Sequence, residues 1–520
     1  MKKALSVILC ISILFSLSLS INAQGEKCNC GIDPVVYVHG FGSYPLYEQI
    51  GGKSVQVFPP NAQSIIKSLP VAVGLIMNLT VTKQYKRCAD EIIKLLENMM
   101  GRLACDSNGD SLYNVTFEKR ELPTEDRHRV TDYSYNTQAD DFNEKSQYSY
   151  YYDFRLDPVS NAEGLNTYIK YVKDLTHHDK VKIVCHSQGN TVVASYLAKY
   201  KNADVSRVIF LSPAYKGLSL IGKILNEDLN LRGKADDLEL YFKGILGFSP
   251  ASEIIGALIS LLNDYGALPY LTEVLQNLVD DQFEYILNTE LLKVFGTMPA
   301  IWSFCPDEYY ESAKENMFGG SDEYAGLIKK IDHYHYNIQN KLVSIINECS
   351  ARGMTFAISC GYDISTIPVS GDKQSQTDML IDTEYMSIGA KCSQPDCCFD
   401  SEYVNNSGNS RYISPDRKID ASSCAYPDRT WFIKGQRHDD FYDDYTEFIT
   451  SLLLCKDQPT VDNLKDYSQF MCYDDDMKLI PVSSPDIPDT RSDEVIIADT
   501  LFELLTPGFI KSLFEKRSDI

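Results

Sequence analysis

Ser187 stands in Cys185-His186-Ser187-Gln188-Gly189. Before it runs the apolar, β-branched stretch Val181 to Val184, and after it Val192, Val193, Tyr196 and Leu197 repeat at helical spacing. A serine hydroxyl is a weak nucleophile by itself. It becomes a strong one when a histidine takes its proton and a carboxylate fixes that histidine's tautomer. Two N–H groups must also face the oxyanion that its attack creates. A strand that turns straight into a helix lifts the serine Oγ above a sheet. Gly189 leaves room where helix and strand cross, and the Gln188 N–H at the helix start faces a developing oxyanion. A Ser-x-Gly between strand and helix also arises by chance, so the chain has to supply the remaining parts in the right order.

The strand–His–Ser–x–Gly–helix pattern resembles the nucleophile elbow of α/β-hydrolases. Cys185 occupies the position where that motif has its first glycine. It is small, and strand alternation points it below the sheet, away from Ser187, so it is no rival nucleophile. Upstream, Val35 to Val38 ends in His39-Gly40-Phe41-Gly42. A His-Gly-x turn after an early strand brings the second oxyanion donor of this fold, here the Phe41 N–H, while its glycines let the backbone approach a substrate. The fold orders its residues Ser, acid, His. Asp378 follows the late strand Met354 to Cys360 and is the choice for the acid. Asp363 and Asp382 are its rivals, and each of the three also suits an ordinary turn. Of the eight histidines only His438 lies after Asp378, beyond the strand-like Arg429 to Ile433 and the turn Lys434-Gly435-Gln436. Its bland alternative is a surface histidine beside Asp439 and Asp440.

Around these residues the 520-residue chain divides as follows. Residues 1–23 read as a secretory signal, with Lys2 and Lys3, an apolar centre and Ala23 as cleavage position; a retained anchor is the alternative. Residues 24–216 form the first part of the core. Within it 43–80 are irregular, Lys83 to Leu103 is an amphipathic core helix with Ala89, Ile92, Leu95, Leu96 and Met99 on one face, and 181–211 is a strand–helix–strand unit. Residues 217–350 break the alternation with a run of apolar-faced helices. They read as a cap or lid inserted over the site, against the alternative of a separate domain. The core resumes over 351–455. Residues 456–520 read as an acidic linker and a C-terminal helix, Glu494 to Lys516, that docks back on the body. The fold class expected is α/β: a mostly parallel central sheet with helices on both faces and a helical cap.

The net charge of −23 argues against nucleic acid and against strongly anionic membranes. It is compatible with neutral lipid surfaces and soluble esters. Of fifteen cysteines Cys10 leaves with the signal; the others imply an oxidising compartment, with Cys28/Cys30, Cys88/Cys105 and the group Cys392, Cys397, Cys398, Cys424 as disulfide candidates. Cys392 to Cys398 is a poor zinc pattern, since no histidine lies near, and no metal or cofactor is expected. Calcium near the acid loop is not favoured. Asn78, Asn114 and Asn405 begin glycosylation acceptor triplets.

With these residues in hand, the chain resembles the lecithin:cholesterol acyltransferase-like branch of the α/β-hydrolases, which takes in lysosomal phospholipase A2-type enzymes and secreted bacterial lipases. Pro34 to Gly42 is similar to its first strand and oxyanion turn. Tyr152-Asp153-Phe154-Arg155-Leu156 resembles its Tyr-Asp-Trp-Arg segment with Phe154 for tryptophan, and Val184 to Gly189 its Val-x-His-Ser-Met-Gly elbow with Gln188 for methionine. Ser212-Pro213 to Gly217 and Met298-Pro299 to Pro306 are similar to its segments after the next strand and in the cap. Thr377 to Ile381 is similar to Gly-Asp-Gly-Thr-Val, which places the family's acid on Asp378 although both glycines are lost. The resemblance implies a secreted serine hydrolase of lipid acyl esters, with transient contact to a lipid interface. A lipid O-acyltransferase, a thioesterase or amidase of the same fold, and a non-enzymatic binding protein on this scaffold are the alternatives.

Overall fold

The computed structural model describes residues 33–60, 74–75, 78–117, 148–246, 260, 263–369, 375–395, 397–408, 410–474 and 476–483. The expected signal 1–23, the pair Cys28/Cys30 and the helix 494–516 lie outside the described residues.

In chain order, β1 (Val35–Val38) leads into β2 (Leu46–Ile50), β3 (Lys53–Phe58), α1 (Tyr85–Met100), β4 (Val115–Phe117) and β5 (Ser149–Tyr150). Then come α2 (Pro158–Thr176), β6 (Val181–His186), α3 (Gly189–Tyr200) and β7 (Val205–Leu211). Among the described residues there follow the helices α4 (Ser219–Leu225), α5 (Ala235–Leu246), α6 (Ala267–Ile286), α7 (Asp307–Phe318), α8 (Ala325–Tyr334) and α9 (Leu342–Ala351), with a single turn, Pro299–Trp302, between α6 and α7. The chain returns through β8 (Thr355–Tyr362), β9 (Lys391–Cys392), β10 (Ile419–Asp420), β11 (Thr430–Lys434), α10 (Asp443–Leu454), β12 (Phe470–Tyr473) and β13 (Leu479–Pro481).

An eight-stranded sheet runs in the order β13-β12-β11-β8-β7-β6-β1-β5. All its neighbours are parallel except the edge pair β12/β13. Strands covered on both faces must be apolar on both, and β1, β6 and β7 are nearly continuous Val, Ile and Leu. Their alternate residues sort into two cores. Val36, Val38, Ile183, Cys185, Val208 and Phe210 pack with Leu165 and Ile169 of α2, Val193 and Leu197 of α3 and Ile345 of α9. Val35, Tyr37, Val184, Ile209 and Leu211 face the other way, onto Tyr445, Phe448, Ile449 and Leu452 of α10. Helices therefore cover both faces.

Local signals fix the helix ends that matter. Asp157 accepts the Val159 N–H and Pro158 opens α2, which stops at His177 in the left-handed region. The orphan carbonyls at the end of α10 are met from the sheet: the Arg207 guanidinium reaches the carbonyls of Leu452, Leu453, Cys455 and Asp457, and Lys182 reaches Leu453.

Several expectations are corrected. Residues 46–58 are not irregular: β2 pairs antiparallel with β3 and β4 in a separate three-stranded sheet. Helix α1 touches the central core only at its end, through Met100, and packs the rest of its buried face on the helical layer. Its Cys88 meets Val274 and Leu278 of α6, and its Ala89 and Ile93 meet Ile286, so the helical layer of 217–350 is completed by an earlier piece of chain. Residues 456–483 are not all linker, since β12 and β13 extend the sheet. Cys88, Cys105, Cys392 and Cys424 are thiols. Cys88 lies in the α1–α6 contact while Cys105 lies in the main core, and burial pushes the Cys105 thiol up to about 12.

Candidate active site

Strand β6 and helix α3 meet at Ser187, whose φ of +52° lies in the left-handed region that non-glycine residues rarely adopt. Three backbone bonds hold the turn: the Ser187 N–H donates to the Leu211 carbonyl at 3.1 Å, and the Ser187 carbonyl accepts from Asn190 at 3.1 Å and from Ala214 at 3.3 Å. Gly189 is required by contact. A Cβ there would lie 2.2 Å from the Val38 carbonyl oxygen and 2.8 Å from that of His39, because α3 crosses directly beneath the end of β1.

The same closeness brings the second loop over the serine. A Cβ on Gly40 would lie 2.9 Å from Ser187 Cβ and 3.5 Å from its Oγ. The His39-Gly40-Phe41 turn thus sits against Ser187 as its sequence position suggests. Among the described residues, neither the Phe41 nor the Gln188 N–H donates to a protein acceptor. The Gln188 side chain turns away and its amide donates to the Phe154 carbonyl at 2.7 Å.

His438 follows β11 on the loop 435–440. Its Nε2 lies 2.8 Å from Ser187 Oγ and its Nδ1 lies 2.7 Å from Asp378 Oδ2. The Asp378 carboxylate is completed by N–H groups: Oδ1 accepts from Ile381 at 2.7 Å and Leu380 at 3.1 Å. The two loops also join through their backbones, since the His438 N–H donates to the Asp378 carbonyl at 2.9 Å. Gly361 in β8 makes that meeting sterically feasible. A Cβ on it would lie 2.4 Å from the Gln436 carbonyl oxygen and 2.7 Å from Asp378 Cβ. Sequence positions 187, 378 and 438 so form one hydrogen-bonded chain that is almost closed to solvent, with Ser187 7 % exposed, His438 5 % and Asp378 0 %.

The electrostatics follow from this burial. Removal from water would raise the Asp378 carboxyl, but the charge and hydrogen bond of His438 and two N–H donors outweigh it, and the group is held below the ordinary carboxylate range. Burial would likewise lower His438, but Asp378 outweighs it and His438 is raised. His186 has no such partner. Burial first, then the neighbouring His438, push it down to about 4. It is neutral near pH 7, and its Nε2–H donates to the His438 carbonyl at 2.8 Å. Cys185 faces away from Ser187 into the α3 side of the core, and burial raises its thiol well above the ordinary value.

The rival acids are engaged elsewhere. Asp363 pairs with Lys418, and Lys434 lies 3.6 Å from it. Asp382 accepts the N–H and the hydroxyl of Ser219, both at 2.8 Å, at the start of α4. His186, His438 and Asp439 have donor atoms within 4.8 Å of one another, a spacing suited to a metal ion. Both ring nitrogens of His438 are, however, committed to Asp378 and Ser187, so this grouping and the hydrogen-bonded chain exclude each other.

Residues beyond the sequence choices support the turn over Ser187. The Tyr152 hydroxyl donates to the His39 carbonyl at 2.6 Å, and the Tyr44 hydroxyl bonds both the N–H and the carbonyl of Tyr152. Fully buried Arg155 spans Asp153 at 2.7 and 3.0 Å, the Leu103 carbonyl at 2.9 Å and Ser111 at 2.8 Å. The Tyr152-Asp153-Phe154-Arg155 segment is a polar brace. Its signal was an Asp-x-Arg pair inside an aromatic run. Phe154 also packs 4.5 Å from the Phe41 ring, and Phe304 from the helical layer closes on Phe41 at 6.1 Å.

No family model and no curated protein matches the chain. Among solved structures, a chain of the Tle4-Tli4 complex is similar at 11% identity over 63% of this chain and 74% of that chain, with a TM-score of 0.22. A likeness so slight bears on neither the fold nor the chemistry.

Proposed function

We propose that this protein is a serine hydrolase of the α/β-hydrolase kind that cleaves acyl esters, with lipid esters as the natural class. The observation that carries the reading is the hydrogen-bonded run Ser187 Oγ, His438 Nε2, His438 Nδ1, Asp378 Oδ2, at 2.8 and 2.7 Å, with a glycine turn against the serine. The lipid class rests on the resemblance of the motifs, with the packed rings of Phe41, Phe154 and Phe304 as apolar surroundings of the glycine turn.

In the proposed cycle, His438 accepts the Ser187 proton as Oγ attacks the ester carbonyl. Asp378 keeps Nδ1 protonated and balances the imidazolium. The N–H groups of Phe41 and Gln188 receive the oxyanion, and each such donor is worth about 3 kcal/mol in the transition state. The imidazolium protonates the departing alcohol, leaving an acyl-enzyme on Ser187. His438 then takes a proton from water as it attacks the acyl carbonyl, and returns it to Ser187 Oγ as the acyl–oxygen bond breaks and the acid leaves. The near-closed surface over Ser187 implies that the helical layer moves to admit substrate. The sequence signal at 1–23 supports a secreted or lumenal protein, and its substrate side a transient lipid contact.

A fluorophosphonate probe tests the reading. Wild type is expected to be labelled, Ser187→Ala not at all, and His438→Ala far more slowly. Absence of labelling in buffer and in detergent alike overturns it.

A further inference from the structure

Gln436 lies two residues before His438 and is 2 % exposed, although glutamine in a loop is ordinarily solvated. Its amide nitrogen donates to two carbonyls of its own loop, Arg437 at 2.7 Å and Asp440 at 2.6 Å. Its amide oxygen accepts the hydroxyl of Tyr473 on β12. The two carbonyls can only accept and the hydroxyl donates here, so the orientation of the amide is fixed by its partners. The carbonyls bracket His438. Backbone bonds around them are sparse: Gly435 to Tyr362 at 2.8 Å, His438 to Asp378 at 2.9 Å, and two long 3.3 Å contacts, from Gln436 to Ile433 and from Asp440 to Arg437. One buried amide thus supplies the interior of the loop that presents the imidazole, and Tyr473 ties that interior to the sheet.

We propose that Gln436 is a positioning residue for His438, setting the loop curvature that aims Nε2 at Ser187. The proposal rests on the reading of His438 as general base. Displacement of a reacting group by about 1 Å costs on the order of 10²-fold in rate. Leucine or methionine would fill the space yet leave the Asp440 carbonyl without this donor and the Arg437 carbonyl with only the long contact from Asp440. Glutamate would turn an acceptor towards both. The groups around it are the Tyr473 hydroxyl from β12, Tyr442 beside Tyr473, and the Arg437–Asp440 pair, whose carboxylate also takes the Tyr442 hydroxyl.

The test uses the full chain with p-nitrophenyl butyrate, and in parallel the downfield proton resonance of His438 Nδ1, assigned by its loss in His438→Ala. Gln436→Met is expected to lower kcat about 10- to 100-fold with KM changed less than about twofold, and to shift or broaden that resonance. Gln436→Glu is expected to add a falling limb to the kcat–pH profile, since the protonated acid can still donate one bond and the carboxylate none. Circular dichroism at each pH confirms that the fold persists. Tyr473→Phe should lower kcat about threefold, and it decides the matter if Gln436→Met does not fold. Wild-type kcat in the folded Gln436→Met variant, a loss confined to KM, or an unaltered profile in Gln436→Glu overturns the proposal. Wild type without esterase activity defeats the hydrolase reading instead, and the Nδ1 resonance then decides the positioning role by itself.

Discussion

Ser187 and the Asp378–His438 pair are two ends of one hydrogen-bonded chain, and they are held in opposite ways. The serine is fixed by backbone. A strand, a turn in the left-handed region and a helix follow one another within a few residues, and two glycines let the neighbouring backbone press against it. The pair is fixed by side chains and loop-to-loop bonds. Its members come from segments sixty residues apart and meet over Gly361. The backbone-built end should tolerate side-chain trimming but not an added methyl at its glycines. The loop-built end should fail when a hydrogen bond is lost.

The largest expected effect tests the loop-built end. Asp378→Asn keeps the shape but reverses one hydrogen bond to His438 and should lower kcat/KM on the order of 10⁴-fold. Asp363→Asn, which weakens ion pairs with Lys418 and Lys434 but touches no member of the chain from Ser187 to Asp378, should leave kcat/KM within about threefold. Ester hydrolysis rates of the two variants side by side check this. Equal losses would mean that the chain through Asp378 does not define the site.

Next in size is the backbone-built end. Gly40→Ala places a methyl 2.9 Å from Ser187 Cβ and 3.2 Å from His186 Nδ1. The turn carrying the Phe41 N–H must move, and the loss of one oxyanion donor predicts a fall in kcat of about 10²-fold, with KM for a short soluble ester nearly unchanged. Unchanged kcat would remove Phe41 from the oxyanion site.

This contrast also explains what could be read from the chain. The elbow is legible because its geometry is local: β-branched strand, His-Ser-x-Gly, helical repeat. His438 is reachable only through the order of residues, since its own surroundings, Arg437, Asp439 and Asp440, read as surface. Asp378 is the choice over Asp363 and Asp382 only on position and resemblance, because what separates them is which loop closes over Gly361, a tertiary contact with no sequence period. The parallel sheet is visible in its apolar strands. The antiparallel β2–β3–β4 sheet is hidden because exposed residues such as Val55 interleave polar ones on strands with little buried face. Helix α1 shows an apolar face, but nothing in that face says that its partner is α6 rather than the sheet.

The histidines give the third comparison, through pH. His186 titrates at about 4 in the folded chain, below its ordinary value of 6.5. As pH falls from 6.5 towards 4 the unfolded chain takes up a proton that the folded chain does not, and stability drops by up to about 1.4 kcal/mol per pH unit. His438 has the opposite sign. Its raised value stabilises fully below 6.5 and is lost as pH rises through it, so it adds no slope in this window. Asp378 is held low and its contribution disappears only in stronger acid. Urea midpoints at pH 7, 6, 5 and 4.5 should therefore fall for wild type and fall less steeply for His186→Gln. An equal slope would show that His186 is not the buried neutral base. Turnover should meanwhile decline in acid through the raised value of His438, which must be neutral to accept a proton.

The smallest effect concerns what the backbone-built end costs. A non-glycine residue in the left-handed region is disfavoured by about 1–2 kcal/mol, and Ser187 sits there at φ +52°. Ser187→Ala and Ser187→Gly both delete the hydroxyl and its bond to His438, and both abolish turnover. They differ in that alanine keeps the Cβ and glycine does not. Glycine loses more backbone freedom on folding, about 0.5–1 kcal/mol, which offsets part of the relief. The glycine variant should still be the more stable of the two, by up to about 1 kcal/mol in urea unfolding. If alanine exceeds it by the full entropy difference of about 0.5–1 kcal/mol, the turn is unstrained and the hydroxyl is raised at no cost to the fold. If glycine leads, stability has been given up at this one residue to hold Oγ where His438 can reach it, whereas the Asp378–His438 end stores its precision in hydrogen bonds that stabilise the fold as they aim the base.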